Sequence, residues 1–162
     1  VKKEEREMHV TAQMIDELID SQNVSIIGSV DQNGFPNIKA MFEPRKRDGI
    51  KTFWFTTNTS SMRVAQFRAN PKACIYFFDH DTFRGVMLQG SMEVCEDVAT
   101  KEMIWREGDM LYYRKGVTDP DYCVLRFTAS SGRYYAELST NSFEVGKTQT
   151  ITVSKLVSDV KF

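Results

Sequence analysis

The chain has 162 residues, of which 41% are apolar and 27% charged, and its net charge at neutral pH is −1. That length suits one domain with a real core, and the balance excludes both a disordered chain and the basic excess of a general nucleic-acid binder. No apolar run approaches the roughly 20 residues of a membrane span, and the charged start VKKEEREMHV lacks a signal-peptide core.

In chain order, TAQMIDELIDS (11–21) places Met14, Ile15, Leu18 and Ile19 on one helical face, with Thr11 as its cap. VSIIGSV (24–30) and PNIKAMFEP (36–44) flank an Asn33-Gly34 turn, which predicts a hairpin. A turn at Arg47-Asp48-Gly49 then leads to IKTFWFTTN (50–58), so three antiparallel strands in succession are expected. The run Arg45-Lys46-Arg47 reads as a solvated turn. Residues 60–70 predict a short helix capped by Ser60 or Ser61, with Val64 and Phe67 inward and Pro71 as its stop.

ACIYFFD (73–79) and FRGVMLQGSMEVCE (83–96) are the next strands, the second bent or bulged at Gly90. Residues 97–106 have helical composition, and 108–121 are mixed. CVLRFTA (123–129), a turn at Ser130-Ser131-Gly132 and RYYAELS (133–139) predict a closing hairpin. The tail from 146 is Thr-, Ser- and Lys-rich and reads as an edge strand, a dimer arm or a disordered end. Residues 1–145 are expected to form one domain, a small and mostly antiparallel barrel with peripheral helices.

Chemistry-bearing residues are few. Cys74, Cys95 and Cys123 form no CxxC and read as reduced thiols of a cytoplasmic protein. With only His9 and His80, neither a His-based metal site nor a Ser-His-Asp hydrolase is expected. Asp79-His80-Asp81 has turn composition, and no metal is expected there. Tyr112, Tyr113, Tyr134 and Tyr135 are core or substrate-lining candidates, and Glu43 is a candidate acid or base beside strand 36–44.

The hydroxyl-rich passage TTNTSSMR (56–63) is the strongest local signal. A helix start offers unpaired N–H groups and a positive dipole end. Hydroxyls there and Arg63 one turn in suit a single terminal phosphate, although taken alone the passage is better explained by Ser60 as a plain helix cap and Arg63 as a surface residue.

The succession NGFPNIKAM, FWFTTNTSSMR, ANP, CIYFFD and VMLQGSMEV, spanning about residues 11 to 138, resembles the pyridoxamine 5′-phosphate oxidase-like FMN-binding split-barrel family, in its general-stress-protein branch. The resemblance implies a mostly β fold with peripheral helices, a split antiparallel barrel, and a homodimer holding FMN in a groove between subunits. It implies FMN contacts at Lys39, Ala40 and Met41, at Thr56 and Thr57, and at Ser61, Met62 and Arg63. Arg84 and Trp105 are candidates reaching the flavin from the partner subunit. The chain departs from the oxidases that make pyridoxal phosphate. Arg84-Gly85 stands where they carry Arg-Gln, and Pro44 stands near their substrate Lys. Their C-terminal Trp and Arg-x-His elements have no counterpart after Tyr135. An FMN-dependent oxidoreductase with another substrate is therefore expected. A non-catalytic flavin carrier, or a barrel that binds heme or a deazaflavin, is the alternative.

Overall fold

The computed structural model describes residues 8–146 and 151–153, with side chains from 10 to 146. Helix α1 (Ala12–Asp20) starts where Thr11 Oγ1 accepts from the Met14 N–H at 3.3 Å, and it buries Ile15, Leu18 and Ile19. Strands β2 (Val24–Val30) and β3 (Pro36–Phe42) form the expected hairpin, paired from Val24 opposite Phe42 to Val30 opposite Pro36. Its loop runs over residues 31–35. Asp31 Oδ1 accepts from the N–H groups of Asn33 (2.8 Å) and Phe35 (2.9 Å), and Gly34 takes φ 83°.

Beyond β3 the order departs from a simple meander. Strand β4 (Lys46–Asp48) is short, and β5 (Thr52–Asn58) lies between β4 and the distant β8 (Tyr122–Ala136), not beside β3. The main sheet runs β3-β2-β6-β7-β8-β5-β4, with β6 (Lys72–Asp79), β7 (Arg84–Cys95) and β8 (Tyr122–Ala136), while β9 (Ser139–Glu144) pairs with β8. All these pairings are antiparallel, and β3 and β4 remain unpaired edges, so the barrel is split. Strands β1 (Met8–Val10) and β10 (Ile151–Val153) pair with each other as a separate ribbon. The rest of the expected tail, 147–150 and 154–162, lies outside the described residues.

The predicted hairpin at 130–132 does not form: β8 continues through it as one strand. Gln89 faces Ser131 and Gly90 faces Ala129, so Ser130 is the extra residue of a bulge, as the glycine in β7 led one to expect. A Cβ on Gly90 would lie 2.0 Å from the Thr128 carbonyl oxygen. Gly132 serves packing instead of turning, since a Cβ there would meet the Phe143 ring at 2.4 Å. The actual reversal lies beyond Gly132, at Glu137 and Leu138, both at positive φ (47° and 61°).

Alternating residues of β5, β6, β7 and β8 fill one core, including the fully buried Phe53, Phe55, Phe77, Leu88 and Phe127. Each such side chain stabilises the fold by roughly 1.5–3 kcal/mol relative to exposure. On the far side of β8, Tyr113, Tyr122 and Val124 form a smaller core under α3 (Val98–Ile104). Two 3₁₀ turns, Glu107–Leu111 and Gly116–Thr118, carry the chain from α3 back to β8. Among the described residues no helix is long and apolar enough to cross a membrane.

Candidate functional site

Helix α2 (Met62–Ala69) begins at Ser61, which has extended cap geometry but makes no side-chain cap bond. Its Oγ is buried and without a hydrogen-bond partner. The turn before it is pinned from elsewhere. Asp121 accepts from the Ser60 N–H (2.8 Å) and the Asn58 side-chain amide (2.8 Å), and its carbonyl accepts from the Thr59 N–H (2.9 Å). These donors hold the exposed Asp121 carboxyl below its ordinary value, the Asn58 amide contributing most. The hydroxyl turn is thus fixed by Asp121, just ahead of β8, and the Ser61 hydroxyl is left uncommitted.

Arg63 is the second uncommitted group. It is half-buried, and Nη2 donates to Thr57 Oγ1 at 3.1 Å. Its Nε is buried without a partner, and among the described residues no carboxylate reaches it. Burial presses the guanidinium below its usual value, partly offset by Tyr113 nearby. A cation held this way is short of one anion.

Arg63 lines a groove of about 450 Å³ between β3, β5 and the 3₁₀ segment. Of the sequence candidates it brings together Lys39, Ala40 and Met41 with Thr56, Thr57 and Arg63. Ser61 and Met62 do not line it, and Met62 faces a second hollow between α2 and the β2–β3 loop. Arg84 lies at the start of β7, bonded to Thr82 Oγ1 at 2.8 Å and 3.5 Å from Asp79. Trp105 packs on Tyr122, with ring centroids 5.1 Å apart, behind Tyr113. Neither lines this chain's own groove, and both were expected from across a subunit boundary.

Other lining residues come from far along the chain. Arg45 and Asp109, 64 residues apart, form an ion pair on the groove wall. Arg47 pairs with Asp16 at 2.6 Å and Asp20 at 2.8 Å on α1. The basic run expected to be a solvated turn is therefore a pair of clamps, on the 3₁₀ segment and on α1. No local signal could have found Asp109, because its partner is set by the β5–β8 pairing. Glu43, Tyr112 and Tyr113 line the groove as two of the sequence alternatives allowed, whereas Tyr134 is wholly buried in the main core.

The remaining candidate clusters are taken up by structure. Ligand atoms of Asp79, His80 and Asp81 lie within 4.8 Å of one another, but Asp79 already accepts from Thr82 Oγ1 and from the Asp81 N–H. All three cysteines are free. Burial raises the thiols of Cys95, to about 11, and of Cys123, so neither is a reactive thiolate.

The family model described as pyridoxamine 5′-phosphate oxidase matches residues 11–136, from α1 through β8. Among solved structures, a Clostridium acetobutylicum protein related to general stress protein 26 of Bacillus subtilis is 43% identical. That match has a TM-score of 0.76 and covers 83% of this chain and 94% of that one. General stress protein 26 from Bacillus anthracis shares the fold at 16% identity and a TM-score of 0.65, over 80% of this chain and 95% of that one. HupZ of Group A Streptococcus does so at 23% identity and 0.62, over 79% and 95%. No curated protein matches the sequence. With the family model spanning every strand that builds the groove, and a close structural relative over most of its length, the chain belongs to the pyridoxamine 5′-phosphate oxidase-like split-barrel family, in its general-stress-protein branch.

Proposed function

We propose that the chain binds FMN in this groove and works as a flavin-dependent oxidoreductase, in the form of a cytoplasmic homodimer. The observation that carries the reading is Arg63, a half-buried cation with an unpartnered Nε and no carboxylate partner among the described residues, two residues from the uncommitted Ser61 hydroxyl. That pair fits a dianionic phosphate, which supplies the missing charge and accepts from several donors at once. Arg63, Ser61 and Lys39 would hold the phosphate, while Ala40, Met41, Thr56 and Thr57 would line the rest of the cofactor. When bound, FMN supplies the hydride or electron transfer, and the protein supplies orientation and electrostatics.

A second subunit is favoured by the free edge of β3. Ile38 on that edge is 77% exposed, and a partner copy docked along this rim would cover it. The same rim is where Arg84 and Trp105 of a partner would have to approach.

The visible spectrum of the purified, FMN-loaded protein tests the cofactor. Oxidised flavin bands near roughly 370 and 450 nm support the reading, and a Soret band or no retained chromophore overturns it. NAD(P)H-driven reduction of the bound flavin, followed at the longer band, then separates an oxidoreductase from a flavin carrier.

A further inference from the structure

The groove is not electrically uniform. Toward Arg63 it offers a cation in need of an anion. Toward the β3–β4 connection its cation is Arg45, and that charge is already spent on Asp109. Asp109 is 2% exposed, and its other oxygen accepts from the Arg106 N–H at 2.9 Å, closing the first turn of the 3₁₀ segment. It is held on both sides and cannot release Arg45. Glu43, exposed on the same wall and without an ion-pair partner among the described residues, adds a free negative charge.

The surfaces here are flat and apolar. Phe42 and Tyr112 line the groove while remaining 80% and 68% exposed. Tyr113 lies between the two halves, and its ring is fixed against Tyr122 at 4.8 Å and Trp105 at 6.3 Å. Its hydroxyl donates to no group among the described residues. Burial pushes that phenol up to about 12, so it stays a neutral donor at physiological pH.

We propose that this second half of the groove takes an uncharged, planar aromatic molecule and rejects phosphorylated or carboxylated ones. The proposal rests on the flavin reading, which assigns Arg63 and Lys39, the two groove-lining cations without an ion-pair partner among the described residues, to the cofactor phosphate. An anionic substrate would then meet Glu43 and a neutralised Arg45, and would lose its hydration without gaining a counter-charge. A flat neutral ring instead buries its faces against Phe42 and Tyr112. A single polar substituent finds the Tyr113 hydroxyl.

The test compares 2-naphthol with 2-naphthyl phosphate on the FMN-loaded protein, by quenching of protein fluorescence. The naphthol should bind at least about tenfold more tightly than the ester. Asp109→Asn frees Arg45 and should strengthen ester binding by at least about fivefold, with naphthol little changed. Glu43→Gln, at an exposed position that the fold does not need, should strengthen it by about two- to threefold. An ester that binds the parent as tightly as naphthol overturns the proposal, as does a preference that Glu43→Gln and folded Asp109→Asn both leave unmoved. Failure of the parent to bind FMN refutes the flavin reading separately. The naphthol-to-ester ratio is then read on the Arg63→Met protein, where equal binding again overturns the proposal.

Discussion

Replacing Arg63 by Met separates a role in binding from a role in folding. In the free protein Arg63 donates to Thr57 Oγ1 at 3.1 Å, and its Nε is buried unpaired. Removing the charged hydrogen bond costs about 1.5–3 kcal/mol, and removing the unpaired buried donor returns about 1–3 kcal/mol. The two terms oppose each other, so the free variant should unfold within about 2 kcal/mol of the parent, a Tm change of at most about 4–8 °C. FMN binding has no such compensation. It loses a charge-assisted contact of about 1.5–3 kcal/mol, which is about 10- to 150-fold in Kd. Titration calorimetry with FMN and with riboflavin reads the difference. Riboflavin has no phosphate and should change by no more than about twofold. An unchanged FMN dissociation constant, or an equal loss for riboflavin, refutes the phosphate assignment. A free variant destabilised by more than about 3 kcal/mol makes Arg63 a structural cation instead.

Gly90→Ala should lower stability by more than about 3 kcal/mol in urea unfolding, because the Thr128 carbonyl at 2.0 Å is backbone and cannot yield. Gly132→Ala meets the Phe143 side chain instead and should cost about 1–3 kcal/mol; the reverse order would contradict the placement of the bulge. Asp121 has a folded pKa below its unfolded one, so its stabilisation is present above about pH 4 and lost as pH falls through the lower folded value. Asp121→Asn should therefore flatten the fall of Tm below about pH 4, and an unchanged slope shows that the anchor is not ionic. The protein should sediment as a dimer at micromolar concentration, and Ile38→Lys on the exposed β3 edge should dissociate it and weaken FMN binding. A monomer that still binds FMN tightly refutes the shared groove.

Local patterns were enough for the strands and helices whose boundaries carry ordinary signals. Thr11 before an amphipathic run, Asn33-Gly34 between β-rich runs and Pro71 after α2 each sit where their chemistry places them. The C-terminal hairpin was misplaced because Ser130-Ser131-Gly132 has turn composition, yet Gly132 is there to admit the Phe143 ring. The true reversal at Glu137-Leu138 puts two ordinary residues at positive φ, without the Asn or Gly that usually marks such a turn. The Arg63 end of the groove could be anticipated because Thr56, Thr57 and Arg63 lie within one continuous stretch from β5 into α2. The Arg45–Asp109 wall was not, because it depends on which strand β5 chooses as its neighbour.

Strand β8 carries a consequence for how the chain reaches this state. It is bonded to β5, β7 and β9, and Asp121 just ahead of it anchors Asn58, 63 residues earlier. Contacts of that sequence separation close long loops and slow the search for the native fold. A growing chain that has made β2 through β7 has Lys39, Thr56, Thr57 and Arg63 but lacks the Asp121 bonds that pin the turn at residues 58–61. Only when β8 docks does that turn become rigid. The groove should therefore appear in the last cooperative step of folding, and a chain ending before Asp121 should retain hairpins without acquiring affinity for an anion.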